Sequence, residues 1–171
     1  MEILFNKEEI EFKTKIIAKQ IADKHRGDGT PIVFVCLLTG GFMFFSDLVK
    51  NISLDFEVDF MRVKSYIKKK QGDIQVTKDL ETAIKGKHVY IVDDIYDSGR
   101  TMESVMKYLR VKEPKSLNIA TLLKREENVK EATEFADSFF FGYEIKDEWV
   151  VGYGCDDENG YKRNYPNLYS V

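Results

Sequence analysis

Residues 88–101, with the sequence HVYIVDDIYDSGRT, decide the fold. The segment 88–92 is short, apolar and rich in β-branched residues, which predicts a strand buried on both faces. A polar turn follows, and from residue 101 to 112 apolar side chains recur at helical spacing until Pro114 prevents continuation. A buried strand that runs through a polar turn into a helix is typical of folds with a parallel sheet.

The rest of the chain continues this alternation of strands and helices. A first helix is predicted from Asn6, since Glu9 three residues later fits a capping box. The other predicted elements are a helix over Phe42–Lys50 and strands over Ile32–Leu38, 55–66 (where Phe56, Val58 and Phe60 alternate), 74–77, 117–123, 138–141 and 149–153. We therefore expect an α/β fold with a mostly parallel central sheet flanked by helices. In such sheets, ligands bind beyond the carboxyl ends of the strands.

Length and composition limit the class of protein. Of the 171 residues, 43% are hydrophobic and 32% charged, which predicts one domain over 1–171 and excludes a disordered or collagen-like chain. The net charge of −3 disfavours nucleic acid and anionic membranes as partners. No apolar run approaches the roughly 18 residues of a membrane span, and no signal-peptide pattern is present, so we expect a cytoplasmic protein.

The cysteines and histidines predict neither a disulfide framework nor a zinc site. Cys36 and Cys155 are too few for such a framework and are interpreted as reduced thiols. His25 and His88 have no spacing to each other or to the cysteines that indicates zinc. A histidine-based hydrolase is also disfavoured, because one histidine ends a predicted helix and the other begins a predicted strand.

The turn after residue 92 has the chemistry of a phosphate site. A helix N-terminus presents free backbone N–H groups and a positive dipole end, Ser98 and Thr101 add hydroxyl groups, and Gly99 allows close approach. The adjacent acids Asp93 and Asp94 would repel a phosphate unless they bind something else. A sugar diol or a Mg²⁺ ion fits that need, because carboxylates accept hydroxyl protons and bind hard cations.

A simpler interpretation of the same turn stays open at this point. Asp97 or Ser98 could serve only as the cap of the following helix. The sequence also contains no G-x-x-x-x-G-K-[ST] and no G-x-G-x-x-G, so a Walker loop and a dinucleotide fingerprint are excluded.

Four segments together resemble the type I phosphoribosyltransferases, and more narrowly the hypoxanthine-guanine phosphoribosyltransferases. Residues 93–101 resemble the family's ribose-phosphate signature. Residues 37–48 resemble its first active-site loop and helix, 59–66 the strand that enters its mobile loop, and 150–156 its purine-side segment. The resemblance implies the type I fold, with a small hood from the C-terminal segment and a mobile lid loop.

The resemblance also implies an activity. It is the Mg²⁺-dependent transfer of the 5-phosphoribosyl group from 5-phosphoribosyl-1-diphosphate (PRPP) to a 6-oxopurine, as in purine salvage, by a homodimer or homotetramer. The residues that it assigns to PRPP are Asp93, Asp94, Asp97, Ser98, Gly99, Arg100, Thr101, Thr39, Gly40 and Arg163. Because the spacing from Asp156 to Arg163 is one residue longer than usual in the family, Lys162 is the alternative to Arg163.

Further roles follow from the same resemblance. Asp97 doubles as the acid/base near purine N7, which is sensible because the base loses a proton as the glycosidic bond forms. The purine residues are Ile95, Lys124, Trp149 and Val150; the metal ligands are Asp156 with Asp93 and Asp94; the lid residues are Ser65 and Tyr66. Without the family, Lys124 would be interpreted as a solvated lysine and the lysine-rich segment 67–71 as a solvated loop.

Thr39 departs from the family pattern, because many members carry a basic residue there. The resemblance implies a cis peptide bond between Leu38 and Thr39, and we expect weaker pyrophosphate binding than a lysine would give. Three alternative interpretations fit the sequence less well. A PRPP-binding regulator would not need Asp97 as an acid/base. Another substrate class, such as adenine, orotate or uracil, is the second alternative, of which Lys124 disfavours adenine. A receiver domain would carry its acids after the first strand.

Overall fold

The structure, a computed structural model, describes residues 1–65, 74–127 and 130–171. Its elements, in chain order, are β1 (Glu2–Phe5), α1 (Lys7–His25), β2 (Ile32–Leu38), α2 (Phe42–Lys50), β3 (Glu57–Ser65), β4 (Ile74–Lys78), β5 (His88–Tyr96), α3 (Arg100–Arg110), β6 (Ser116–Arg125), a 3₁₀ helix (Ala132–Glu134), β7 (Ser138–Ile145), β8 (Val150–Val151) and β9 (Leu168–Ser170). Among the described residues, no helix is long and apolar enough to cross a membrane.

The main sheet has six strands in the order β4-β3-β2-β5-β6-β7. Neighbours from β3 to β7 are parallel, and only β4 runs antiparallel, at one edge. The predicted α/β fold with a mostly parallel sheet is therefore confirmed. The carboxyl ends of β2, β3, β5, β6 and β7 lie along one edge of this sheet, where ligands of such folds bind.

Both faces of the sheet are covered, as the continuous apolar strands predict. On one face, α1 and α2 pack through Ile17, Ile21 and Leu48 against residues of β2 and β5. On the other face, α3 packs its apolar stripe, Met102, Val105, Met106 and Leu109, against alternate residues of the same strands. Sandwiching the central strands between helices fixes the positions of their carboxyl ends.

A second, three-stranded sheet has the order β1-β9-β8 and is antiparallel. The predicted strand over 149–153 is shorter, Val150–Val151, and the two strands that complete this sheet, β1 and β9, were not predicted from the sequence. The expected C-terminal hood thus also includes the N-terminal strand. Glu2 pairs with Ser170, so the two chain ends meet in this sheet.

The buried face of β3 is not the one that the apolar alternation suggests. Val58 and Phe60 are 47% and 39% exposed, whereas Asp59 and Met61 are buried. The Asp59 carboxylate accepts backbone hydrogen bonds from Phe60, Glu81 and Thr82 at 2.7–2.8 Å. These three bonds offset the cost of burying the carboxylate, so the polar residue occupies the inner face.

The predicted capping box at the start of α1 is present and gives a stability test. Asn6 Oδ1 accepts from Glu9 N at 2.9 Å, and Glu9 Oε2 accepts from Asn6 N at 2.8 Å. We expect Asn6→Ala to lower the free energy of unfolding by about 1 kcal/mol in urea titrations followed by circular dichroism. Asn6→Asp retains the acceptor and should stay near the parent; equal stability of all three would refute the cap.

Candidate active site

Two adjacent carboxylates stand at the carboxyl end of β5. Asp93 Oδ1 accepts from Asp94 N at 2.9 Å, and Asp94 Oδ1 accepts from Ile95 N at 2.8 Å. Burial and the neighbouring Asp94 carboxylate raise the pKa of Asp93. A cation or a pair of hydroxyl donors at this point would relieve the repulsion between the two acids.

The loop between β2 and α2 packs directly against this acid pair. The Leu38–Thr39 peptide bond is cis, as expected. A Cβ on Gly40 would clash with the Asp94 carboxylate, and a Cβ on Gly154 would clash with the Gly40 carbonyl oxygen. Three segments that are distant in sequence therefore meet closely: the Gly40 backbone contacts the Asp94 side chain, and the Gly154 backbone contacts the Gly40 backbone.

The turn after β5 forms a cavity of about 220 Å³ with the acid pair. Gly99 has φ +77° and begins α3, and a Cβ on it would clash with the Tyr96 hydroxyl. The lining consists of Leu37, Asp93, Asp94, Ile95, Tyr96, Asp97, Ser98, Gly99, Thr101 and Met102. The structure thus brings the predicted ribose-phosphate residues together in one cavity, Arg100 excepted, since that side chain is exposed on the first turn of α3.

Of the two predicted lid residues, the structure describes one. Ser65 ends β3, and its Oγ lies 3.2 Å from Thr101 Oγ1 at the start of α3. The strand that leads into the expected lid therefore contacts the predicted phosphate-binding turn. Tyr66 and the lysines that follow it lie outside the described residues.

Of the four predicted purine residues, one lines this cavity, and the other three lie outside its lining. Ile95 is a lining residue of that cavity, Val150 is buried in β8, and Trp149 is 60% exposed. Lys124 Nζ lies 3.1 Å from Glu144 Oε1 and stands over the Phe141 ring. Its amine is thus paired with a carboxylate on the neighbouring strand.

The C-terminal segment brings Asp156 and Arg163 together. Arg163 donates to Asp156 Oδ2 at 2.5 Å and to the Gly154 carbonyl at 2.7 Å. Lys162, the alternative to Arg163, instead pairs with Asp157 at 2.9 Å. Cys155, the residue before Asp156, donates its S–H to Asp94 Oδ2 at 3.3 Å, and burial raises the pKa of this thiol.

Comparison with known proteins identifies the family. Residues 2–158 match the phosphoribosyl transferase domain family. The chain belongs to that family. It is 40% identical to a hypoxanthine-guanine phosphoribosyltransferase of Aquifex aeolicus, covering 100% of this chain and 94% of that protein. It is 39% identical to a hypoxanthine phosphoribosyltransferase of Escherichia coli, covering 95% and 90%.

A solved structure of the family has the same fold. The hypoxanthine phosphoribosyltransferase of Trypanosoma cruzi, determined in complex with its product IMP, superimposes with a TM-score of 0.91 at 30% identity. The match covers 100% of this chain and 94% of that one. The expected type I phosphoribosyltransferase fold is therefore confirmed.

Sequence reasoning missed one charged residue of this phosphoribosyltransferase site. Arg125, the last residue of β6, donates from Nε to Asp97 Oδ1 at 2.9 Å. Its Nη1 donates to the carbonyls of Lys146 and Glu148 at 2.6 and 2.9 Å. The only sequence signal was its place at the end of a predicted buried strand, next to Lys124.

Arg125 also borders a second cavity that adjoins the first. This cavity, of about 540 Å³, is lined by Asp97, Ser98, Arg125, Glu127, Lys146 and Asp147. The two cavities share Asp97 and Ser98. The candidate acid/base, Asp97, therefore lines both of them. Arg125 fixes Asp97 and the backbone just before Trp149 with a single guanidinium group.

Proposed function

We propose that this protein is a purine salvage enzyme that transfers the 5-phosphoribosyl group from PRPP to hypoxanthine or guanine, with xanthine as a further substrate. The products are IMP, GMP or the xanthine nucleotide, and pyrophosphate. The observation that carries the proposal is the cavity in which an acid pair and a helix N-terminus face the same space. A phosphorylated sugar would bind its free hydroxyls to the acid pair and its phosphate to the helix N-terminus. The relatives named for hypoxanthine and guanine support the choice of base.

PRPP would bind with its 5′-phosphate in the turn and its ribose at the acid pair. The backbone N–H groups of residues 98–101 would donate hydrogen bonds to the phosphate oxygens, as would the hydroxyls of Ser98 and Thr101. Asp93 and Asp94 accept hydrogen bonds from the ribose hydroxyls. The pyrophosphate would lie toward Thr39 and Gly40, whose loop packs on Asp94.

The donor set at this site fits Mg²⁺. Asp93 and Asp94 offer carboxylate oxygens, which are the ligands that Mg²⁺ prefers. Asp156 offers a further carboxylate next to Gly154 and Arg163. A bound Mg²⁺ would offset the negative charge of the pyrophosphate group.

The chain's own groups would carry the rest of the reaction. A purine ring nitrogen forms the new bond to C1′ as the bond from C1′ to pyrophosphate breaks, and the purine loses a proton. Asp97 would accept that proton near N7. Arg163 stabilises the charge that develops on pyrophosphate, and Ser65, with Tyr66, belongs to the segment that would exclude water.

The base would lie between Ile95 and Trp149. The exposed Trp149 indole provides the stacking surface, and the Val150 backbone reads the purine edge. Lys124 would donate to the 6-oxo oxygen, which requires its amine to turn away from Glu144. An oxo group accepts that hydrogen bond, whereas the amino group of adenine is itself a donor. We also expect a cytoplasmic homodimer or homotetramer.

The first test is a turnover assay with PRPP and Mg²⁺, followed by ultraviolet absorbance. Hypoxanthine, guanine, xanthine and adenine are supplied separately. We expect turnover of 6-oxopurines and none of adenine. If no base is turned over while PRPP still binds in a Mg²⁺-dependent manner by calorimetry, the protein is a PRPP-binding regulator and the proposal is wrong.

A second prediction concerns Arg125 as a positioning residue. Arg125→Gln should lower kcat/KM for the purine about tenfold or more, because charge-assisted bonds to Asp97 and to two carbonyls are lost. The KM for PRPP should change little. Arg125→Lys should recover only part of the loss, since one ammonium cannot span the same partners.

The matched control is Arg110→Gln. Arg110 also bonds one carboxylate, of Asp137, and one carbonyl, of Phe135, but it lies at the far end of α3. Steady-state kinetics with each substrate varied in turn separates the two variants. An equal effect of both substitutions on purine kcat/KM would remove the assigned role of Arg125.

A further inference from the structure

Two histidines and an aspartate converge at the end of the sheet opposite the active site. His25 ends α1, Asp28 lies in the loop that follows, and His88 begins β5. One ring nitrogen of each histidine and an Asp28 oxygen all lie within 4.8 Å of one another. Asp28 Oδ2 is 2.6 Å from His88 Nε2 and 3.8 Å from His25 Nδ1. Both imidazoles therefore direct a nitrogen to the same carboxylate oxygen.

We propose that His25, Asp28 and His88 form a binding site for a divalent transition metal such as Zn²⁺, separate from the Mg²⁺ site of the reaction. Two imidazoles and one carboxylate form a donor set that zinc, cobalt and nickel prefer and that magnesium does not. A four-coordinate zinc ion at its usual bond lengths holds its ligand atoms about 3.4 Å apart. The measured separations of 2.6 and 3.8 Å lie on either side of that value.

The second nitrogen of each imidazole already has a fixed partner. His25 Nε2 lies 2.7 Å from the Tyr90 hydroxyl, and His88 Nδ1 lies 2.6 Å from Ser116 Oγ. Histidines that bind metals hold the remaining ring nitrogen in such a bond, which orients the ring and fixes the tautomer. Tyr90 is buried in β5, and Ser116 begins β6. The rings are thus oriented by the sheet itself.

Asp28 provides access and charge. Its side chain is 29% exposed, whereas both histidine side chains are nearly buried, so an ion would enter past the carboxylate and keep a water as its fourth ligand. Thr30 Oγ1 and Lys115 Nζ bind Oδ1, at 2.7 and 3.2 Å. Those contacts leave Oδ2 directed to the imidazoles.

The bound metal would cross-link separate elements of the fold and would take no part in the phosphoribosyl transfer. It joins the end of α1, the following loop and the start of β5, and through Ser116 it extends to β6. Asp93 lies five residues after His88 in β5, which is about 16 Å along a strand. Metal binding here should therefore raise thermal stability through preferential binding to the folded state and leave turnover unchanged.

The composition makes the test specific. The chain contains only these two histidines, so in tag-free protein any histidine–metal signal arises from this cluster. Metal-free protein is titrated with Co²⁺ in the presence of excess Mg²⁺, which occupies oxygen-only sites. We expect one equivalent to give the visible absorption of four-coordinate cobalt with nitrogen ligands. Zn²⁺ should displace the cobalt and raise the melting temperature.

Variants distinguish this cluster from the active-site acids. Asp28→Asn and His88→Gln should abolish the cobalt spectrum. Ser116→Ala leaves all three ligands in place and should weaken binding about 10- to 100-fold. Asp156→Asn, which alters an active-site carboxylate, should leave the spectrum unchanged.

Three results would overturn the proposal. The first is the absence of a visible cobalt spectrum in the parent protein, which would mean that the three residues form only a hydrogen-bonded contact. The second is a spectrum that survives both ligand substitutions. The third is an intense thiolate charge-transfer band, which would place the ion at a cysteine. Turnover measured on the parent, Asp28→Asn, His88→Gln and Ser116→Ala samples shows that these proteins are folded. For Asp156→Asn, which alters the active site, the far-ultraviolet circular dichroism spectrum serves that purpose.

Discussion

Asp97→Asn is expected to lower kcat by about 10²- to 10⁴-fold, the contribution usual for a positioned general acid or base. Asparagine has nearly the same shape, but its amide cannot accept the purine proton. The KM for PRPP should change far less, because the backbone N–H groups of the turn remain. Initial rates with hypoxanthine, followed by ultraviolet absorbance, measure both quantities.

The control for this variant is an aspartate with arginine and lysine partners elsewhere on the surface. Asp23 accepts from Lys19 and Arg26 on the exposed side of α1. Asp23→Asn should retain the parent kcat. If Asp97→Asn keeps more than a third of the parent kcat, another group must accept the proton and the role given to Asp97 is wrong.

The sequence predicted the central part of this site because its signals are local. The run into Asp93 and Asp94, the glycine at the start of α3 and the apolar stripe of that helix each follow from neighbouring residues. Parallel strand order then places the ends of β2 and β5 side by side, as the register Cys36–Val92 shows. Local pattern and sheet geometry are enough for this part of the molecule.

The missed features depend on contacts between distant segments. β1 and β9 are strands of four and three residues that pair with each other across the whole chain, so neither has a recognisable pattern alone. The inward Asp59 depends on amides of residues 81 and 82. Arg125 selects Asp97 and two carbonyls beyond β7, and nothing in its own neighbourhood in the sequence predicts those partners.

The histidine cluster is missed for the same reason. His25 and His88 are far apart in the sequence, and their spacing matches no metal motif. Their ring centroids are nevertheless 4.3 Å apart, because the end of α1 packs beside the start of β5. A site whose ligands come from three separate elements is visible only after the sheet order is known.

Gly154→Ala is expected to be the most damaging glycine substitution at the site. Gly154 has φ +102°, and an added Cβ would clash with the Gly40 carbonyl oxygen, a backbone atom that no rotamer change can move. Backbone strain and overpacking each cost roughly 1–3 kcal/mol, so the sum should be about 3 kcal/mol or more in urea unfolding.

The same substitution should also reduce activity, because Gly40 packs against Asp94 and a shift of its loop would displace the acid pair. A misplacement of about 1 Å near a reacting centre can cost 10²-fold in rate. The matched control is Gly160→Ala. Gly160 has a similar φ of +82° but open space around the added Cβ, so it should show only the backbone strain and retain kcat. If both variants lose equal stability and activity, the contact between Gly154 and Gly40 does not hold the loop between β2 and α2. A larger loss of stability and activity in Gly154→Ala shows that this backbone packing positions Asp94.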